Sequence, residues 1–172
     1  RQRGFAGVSG ARRAVDMLIA RLEGSPFETE LQIVMPDRVS PPPPVPDIKK
    51  ATVALASSTG MVPWGNPDKM PSKNTNKWIK YNLEGLSALE KGKWEVMHSG
   101  FDTKFVLENP HLMVPLDAMR ELEDSGQVGT LYNQFYSFSG HAGQPNTAKR
   151  LGEEMAKDMK ASGVDAVVMT AT

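Results

Sequence analysis

The sequence predicts an α/β fold with a doubly wound, mostly parallel sheet, arranged in three layers as in Rossmann-like domains. Three observations indicate this fold: short apolar runs recur along the chain, several end in hydroxyl-bearing residues and glycine, and amphipathic helical stretches separate them. We expect an N-terminal helix and strand over residues 1–35, a proline-rich linker over 36–50, and the α/β domain over 51–172.

The first 35 residues predict one helix and one strand. Apolar residues recur at helical spacing over 11–22, with Ser9 as the N-cap and Gly24 as the C-terminal stop. Apolar and polar residues then alternate over 27–35, which is typical of a strand with one face in water.

Six prolines lie between Pro36 and Pro46, and such a run takes an extended polyproline conformation. The main interpretation is a spacer or surface strap. A ligand for an aromatic groove, and hence an interaction scaffold, stays an alternative.

Residues 51–172 contain five predicted strands. The runs over 52–56 and 164–170 are apolar enough to be buried on both faces of a parallel sheet. Further strands are predicted over 94–98, 112–114 and 128–136.

Two helices separate these strands, each with proline in its first turn. The first has Pro115 at its first helical position, buries a stripe that includes Met119 and ends at Gly126. The second begins at Pro145 and ends at Gly163, and its charged residues are expected to form a solvated face. Its apolar face consists of Ala148, Leu151, Gly152, Met155, Ala156 and Met159.

The composition excludes several classes of function. The 172 residues contain no cysteine, which excludes disulfides, cysteine-bound zinc, iron–sulfur clusters and a thiol nucleophile within them. Twenty basic residues balance twenty acidic ones, which argues against a nucleic acid or membrane partner. No apolar run reaches the roughly 18 residues of a transmembrane helix, and no signal peptide opens the chain. We therefore expect a soluble, cytoplasmic protein and, since the first residue is Arg1, a portion of a longer one.

Hydroxyl-bearing residues and glycines follow the predicted strand ends, where open parallel sheets bind ligands. Hydroxyls and free backbone amides at one edge suit a small anion, especially a carboxylate or phosphate, although any one such loop can be only a turn. Two histidines lie at strand ends and either share this cleft or form structural hydrogen bonds. The candidate substrate-binding residues are Ser58, Thr59, Gly60, His98, Ser99, Gly100, Tyr136, Ser137, His141, Thr170 and Thr172. We expect no metal site, because the histidines are scattered, and no glycine-rich nucleotide motif is present.

Two further groups have two interpretations each. Asp117 and Arg120 form an exposed ion pair, or else Arg120 meets a carboxylate or Asp117 a backbone amide. The aromatic residues are mainly core candidates, but a subset could form an aromatic box for a quaternary ammonium group. These aromatic residues are Trp64, Trp78, Trp94, Phe101 and Tyr136.

Seven strings of residues keep the order and spacing of one known family. They are Ala51-Thr52-Val53-Ala54-Leu55, Gly60-Met61-Val62-Pro63, Asn66-Pro67-Asp68, Gly100-Phe101-Asp102, Val114 to Arg120, Phe135-Tyr136-Ser137 and Gly163 to Thr172. Together they resemble selenoprotein B, the substrate-specific component of the glycine, sarcosine and betaine reductases. The string Phe138-Ser139-Gly140-His141 departs from the family's usual threonine-containing sequence, which we interpret as a sign of a different substrate within the family.

The resemblance implies an oxidoreductase that reductively cleaves the C–N bond of glycine or an N-methylated glycine, with amine release and eventual formation of acetyl phosphate. In the family, the string that resembles 165–172 is followed at once by selenocysteine, the nucleophile. The implied partners are a pyruvoyl-bearing subunit of the same component, selenoprotein A and a small zwitterionic substrate. We expect a fragment that ends at the selenocysteine codon, holds no cofactor itself and is inactive alone. The alternative is a non-catalytic α/β module that binds a small carboxylate.

Overall fold

The computed structural model describes residues 7–29 and 38–172, and the chain divides into two compact units, Arg1–Ser40 and Pro41–Thr172. In the first unit, helix α1 (Gly10–Leu22) begins as predicted, because the Ser9 hydroxyl accepts a hydrogen bond from the Arg12 amide. Gly24 follows the helix with a positive φ of 71°. The strand predicted over 27–35 lies largely outside the described residues, and 27–29 have no regular structure.

The second unit contains two sheets, four-stranded and two-stranded. The strands are β1 (Thr52–Ser57), β2 (Met61–Pro63), β3 (Ile79–Asn82), β4 (Trp94–Val96), β5 (Thr130–Ser137) and β6 (Ala166–Thr170). The helices are α2 (Lys104–Glu108), a 3₁₀ turn at Pro110–Leu112, α3 (Leu116–Asp124) and α4 (Pro145–Ala161). The proline run from Pro41 to Pro46 forms neither helix nor strand.

The larger sheet has the strand order β3-β5-β1-β6. Strand β1 pairs in parallel with both β5 and β6, whereas β3 pairs antiparallel with β5. The fold is therefore α/β with a mixed, mostly parallel sheet. In a regular doubly wound fold, a helix connects one parallel strand to the next. Here the connection from β1 to β5 contains β2, β3, β4 and short helices instead.

Helices α3 and α4 pack on opposite faces of this sheet. Successive side chains of a strand point to opposite faces, so Val53 and Leu55 join the core cluster that contains α3. Ala54 and Ala56 join the cluster that contains Met155 and Met159 of α4, and the small alanine side chains leave room for that helix.

Two predicted strands differ from the structure. The segment over 94–98 shortens to β4, which pairs antiparallel with β2 instead of joining the main sheet. The prediction of a strand over 112–114 is wrong, because a 3₁₀ helix over Pro110–Leu112 occupies its start. Asn109 accepts a hydrogen bond from the His111 amide, and Pro110 lies in the first turn of that helix. The buried residue Val114 then follows in a loop.

Strand β6 forms where predicted, but it is not buried. Val167, Val168 and Met169 are 46%, 37% and 53% exposed, because β6 is the last strand in the order of the described sheet.

Helices α3 and α4 also refine the predictions. Pro115 is the N-cap of α3 and not its first residue. On α4, the residues that are buried are Leu151, Met155 and Met159, whereas Ala148, Gly152 and Ala156 are exposed. One charged residue of the expected solvated face, Asp158, is only half-exposed.

Candidate functional site

A cleft of about 380 Å³ lies where the loops after β1, β4 and β5 meet the residues that follow β6. It is lined by Ser58, His98, Gly100, Phe101, Gly140, His141, Ala142 and Thr172. Five of the eleven predicted substrate-binding residues are therefore brought together: Ser58, His98, Gly100, His141 and Thr172. The parallel strands β1, β5 and β6 end on the same side of the sheet, which explains why these loops converge.

Backbone hydrogen bonds hold the converging loops in place. The Ser58 amide donates to the Thr170 carbonyl at 3.1 Å, and the Gly140 amide donates to the Ser58 carbonyl at 2.8 Å. The Gly60 amide donates to the Phe138 carbonyl, also at 2.8 Å. The cleft is thus built from loops whose backbone groups are already paired, which favours a fixed geometry.

Gly60 and Gly100 are required by close approaches within these loops. Gly60 has a φ of 66°, and a Cβ there would collide with the carbonyl of Met97, whose amide donates back to the Gly60 carbonyl. A Cβ on Gly100 would collide with Nδ1 of His141. Gly60 therefore seats the loop after β4, and Gly100 lets two imidazole rings pack beside the backbone.

His98 connects the loop after β4 to Thr172. Its Nδ1 accepts a hydrogen bond from the Gly100 amide at 3.1 Å, so the proton of the neutral ring belongs on Nε2. Nε2 lies 3.2 Å from Oγ1 of Thr172 and donates to it. The His98 ring also packs edge-on to His141, with 5.3 Å between ring centroids, and beside Phe101 at 5.0 Å.

His98 is held in its neutral form. Burial lowers the pKa of His98 below its ordinary value, and the neighbouring charge of protonated His141 lowers it further. At neutral pH His98 therefore acts as a hydrogen-bonding link between Gly100 and Thr172 and carries no charge.

Two polar side chains of the cleft are unpaired. Among the described residues, neither the Ser58 hydroxyl nor the His141 ring has a hydrogen-bond partner, although the backbone of His141 is fixed by the Asn74 amide. Ser58 as a residue is 7% exposed and lines the cleft. Its hydroxyl is therefore available there to a ligand oxygen.

The other predicted hydroxyls serve the structure. Oγ1 of Thr59 pairs with Oγ of Ser57 at 2.8 Å in the buried interior. The hydroxyls of Ser137 and Thr170 donate to the carbonyls of Met61 and Met113. Ser99 donates through its amide and its hydroxyl to the carbonyl of Ser72, at 3.2 and 3.4 Å. None of these four residues borders the cleft.

Tyr136 does not line the cleft and lies on the face of the sheet that carries α4, among the residues that pack against that helix. Its hydroxyl donates to Asp158 at 2.6 Å, and Lys80 pairs with the same carboxylate at 2.8 Å. Burial raises the pKa of Tyr136, and the Asp158 carboxylate raises it further. Burial also acts to raise the pKa of Asp158, but the hydrogen bonds from Lys80 and Tyr136 outweigh it and lower that pKa.

The aromatic residues form no box at the cleft within the described part of the chain. Only Phe101 of the five candidates lines it. Trp94 belongs to the core, Trp64 is 66% exposed, and Trp78 packs on Tyr136 with 5.6 Å between ring centroids.

Arg120 and Asp117 do not pair with each other. Arg120 pairs with Glu123 at 2.8 Å and donates to the Leu83 carbonyl, so it ties α3 to the loop after β3. Asp117 lies 3.0 Å from Nδ1 of His111. Neither residue reaches the cleft.

Three cleft residues are absent from the predicted set: Phe101, Gly140 and Ala142. Gly140 carried a usable signal, since it follows Ser139 at a strand end as Gly60 follows Thr59. Phe101 is a candidate only as an aromatic residue, and Ala142 carries no signal, because its place depends on how the loop after β5 folds.

The cleft residues suit a small organic anion better than a metal. Across residues 7–29 and 38–172, no group of three or more histidine, aspartate or glutamate side chains is placed to hold a metal ion. Nor does any helix in those ranges combine the length and the apolarity needed to cross a membrane. A hydroxyl donor and an unpaired imidazole are suitable partners for a carboxylate.

Comparison with known proteins gives one consistent family. The model of the glycine/sarcosine/betaine reductase selenoprotein B family matches residues 1–172. The chain is 42% identical over 168 residues to the glycine reductase complex component B subunit gamma of Carboxydothermus hydrogenoformans, covering 98% of this chain and 39% of that protein. No solved structure matches the chain significantly.

Two relatives from Peptoclostridium acidaminophilum have other substrates in their names. The sarcosine reductase complex component B subunit beta is 40% identical, over 95% of this chain and 37% of the relative. The betaine reductase complex component B subunit beta is 39% identical, over 96% of this chain and 38% of the relative. The chain thus spans less than two fifths of the length of these three relatives.

Proposed function

Because the chain belongs to the glycine/sarcosine/betaine reductase selenoprotein B family, we propose that it forms the substrate cleft of a reductase component B. The reaction is reductive cleavage of the C–N bond of glycine or an N-methylated glycine, carried out by a longer polypeptide of which these residues form one part. The observation that carries the proposal is the position of Thr172, which lies in the cleft and accepts a hydrogen bond from His98.

The proposal includes a selenocysteine directly after the string that ends with Thr172, as the resemblance of 165–172 to the family implies. A selenolate there would supply the nucleophile, and its place next to Thr172 suits the cleft because Thr172 lines it together with His98 and Ser58. The fit rests on this chain's own groups: His98 is neutral and donates one hydrogen bond to the Thr172 hydroxyl in the cleft.

Ser58 and His141 bind the substrate carboxylate in this proposal. The Ser58 hydroxyl is nearly buried and unpaired, and it donates a hydrogen bond to one carboxylate oxygen. His141 lines the same cleft from the loop after β5, and in the proposal its ring donates to the carboxylate. A volume of about 380 Å³ is near the lower end of the roughly 300–1,000 Å³ typical of ligand pockets, as expected for a small zwitterion.

His141 also belongs to the string 138–141 that departs from the family's usual sequence. The departure therefore falls in the cleft itself, which supports substrate selection by the loop after β5. The names of the relatives include glycine, sarcosine and betaine. These three compounds share the carboxylate and differ in the number of methyl groups on the nitrogen.

The proposed partners follow from the family. The relatives are subunits of reductase complexes, which supports partner subunits for this chain. We propose a pyruvoyl-bearing subunit of the same component and selenoprotein A as those partners, and the cytoplasm as their location.

The test uses the full-length protein in a complex reconstituted with its partner subunits. His141→Asn should raise the KM for the preferred substrate about tenfold while changing kcat less, because it removes a carboxylate contact. The matched control is His111→Asn, since His111 does not line the cleft and its Nδ1 lies 3.0 Å from Asp117.

The outcome distinguishes the two functions kept open by the sequence. Amine release from one of glycine, sarcosine or betaine, with a KM that responds to His141→Asn and not to His111→Asn, supports the reductase. Thermal stabilisation by these carboxylates without any amine release would favour the non-catalytic binding module instead.

A further inference from the structure

Strand β6 has the composition of an interior strand but stands at the edge of the sheet. Its sequence, Ala166-Val167-Val168-Met169-Thr170, contains no charge, proline or glycine. It pairs with β1 on one side, and no strand of residues 7–29 or 38–172 pairs with its other edge in the order β3-β5-β1-β6. Edge strands are normally protected by charges, prolines or bulges against pairing with other chains. Within the described residues, β6 carries no such protection.

Both faces of β6 expose apolar side chains. Val168 pairs in register with Leu55, on the face that carries α3, and it is 37% exposed. Val167 and Met169 pair with Ala54 and Ala56, on the face that carries α4, and they are 46% and 53% exposed. Apolar side chains on both faces are typical of parallel strands that are covered by helices on both sides.

We propose that β6 is an interior strand of a larger sheet, whose open edge pairs with a further strand of the same longer polypeptide. The three relatives named above extend well beyond the matched region, since the chain covers 37–39% of each, so additional chain is available in proteins of this family. Strands of a parallel sheet are usually joined by helical crossovers of the same chain, which would cover the exposed faces as well as the edge.

A second copy of the chain is the less suitable occupant. Two β6 strands related by a twofold axis would pair antiparallel along their open edges. That pairing satisfies the backbone groups but brings no helix onto the two apolar faces. One added strand with its crossover covers the edge and a face together.

The test is a photo-crosslink in the full-length protein, with a diazirine analogue of methionine in place of methionine. Met169 should link to a residue outside positions 1–172 of the same polypeptide, so the monomer mass is kept and the yield is independent of concentration. Met169→Leu is the matched control, and it should remove this one crosslink and leave those from other methionines. A link to a second copy or to a partner subunit overturns the proposal.

If Met169 gives no crosslink, amide hydrogen exchange in the same full-length sample tests whether the second edge of β6 is paired. Residues 166–170 should then exchange as slowly as β1, because both strands would be paired on two sides. Exchange faster than in β1 by about a hundredfold or more overturns the proposal, since an open edge leaves amides unpaired. Neither readout depends on the substrate or on activity, so failure here leaves the proposed reductase function standing.

Discussion

Two polar clusters flank the large sheet, and they differ in how completely their polar atoms are paired. The Tyr136 cluster consists of Tyr136, Lys80 and Asp158, and each of its three polar groups meets another. The cleft cluster consists of Ser58, His98, His141 and Thr172, and among the described residues two of its four side chains have no hydrogen-bond partner. Complete pairing indicates a structural role, whereas unpaired polar side chains that line a cleft are available to a ligand. We therefore expect substitutions in the Tyr136 cluster to change stability and substitutions in the cleft cluster to change substrate binding.

The largest effect is expected where the cleft loops meet the backbone of β4. Gly60→Ala should lower the free energy of unfolding by about 3 kcal/mol, because φ is positive and the new Cβ meets the Met97 carbonyl. Denaturant unfolding of the full-length protein measures it. The control is Gly152→Ala in the interior of α4, where the new methyl meets only open space and should stabilise by up to about 1 kcal/mol. Equal changes in the free energy of unfolding at the two glycines would contradict the close approach of Gly60 to the Met97 carbonyl.

The Tyr136 cluster should contribute to stability without affecting substrate binding. Tyr136→Phe removes the hydrogen bond to Asp158 and should lower the free energy of unfolding by about 1–2 kcal/mol. The KM for the substrate should stay unchanged, because Tyr136 does not border the cleft. A raised KM at unchanged stability would place Tyr136 in the binding site and reverse the comparison between the clusters.

The cleft cluster should behave in the opposite way. Ser58→Ala removes an unpaired hydroxyl, so stability should change by less than about 0.5 kcal/mol while the KM rises about tenfold. The matched control is Ser99→Ala, because the Ser99 hydroxyl faces the Ser72 carbonyl outside the cleft. If Ser99→Ala raises the KM as much as Ser58→Ala does, the assignment of Ser58 fails.

The smallest effect concerns pH. The folded state lowers the pKa of His98 below its ordinary value of 6.5, so the unfolded chain binds more protons as the pH falls past that value. His98 therefore contributes stability that is fully present above pH 6.5 and is lost as the pH falls through its folded pKa. His98→Asn should flatten the decline of the melting temperature below pH 6.5, and an unchanged decline would show that other groups cause it.

Strong periodic patterns explain what the sequence could predict of the fold. Strand β1 is a continuous apolar run and helix α4 has an apolar stripe at helical spacing, and both form where expected, as does strand β5. The run over 112–114 fails because Pro110 and Pro115 confine it to a turn and a loop. Strand β4 forms but leaves the main sheet, since nothing in three residues specifies which partner they pair with.

The candidate site was predictable in position but not residue by residue. Parallel strands end at one edge, so Ser58, His141 and Thr172 were expected to converge, and they do. Tyr136 and Ser137 end the same strand, yet Tyr136 faces α4 and Ser137 donates to a buried carbonyl. Whether a hydroxyl turns toward the cleft or the core depends on neighbours that the local sequence does not specify.

The carboxylate contact in the cleft is tested most directly by nitrogen-15 spectra of the histidine rings in the full-length protein. Glycine, sarcosine and betaine are added in turn, with methylamine as a control that lacks the carboxylate. The account predicts that the preferred substrate shifts the His141 ring resonances, that His111 does not respond, and that methylamine shifts neither. Unchanged His141 resonances at saturating concentrations of all three substrates would contradict it.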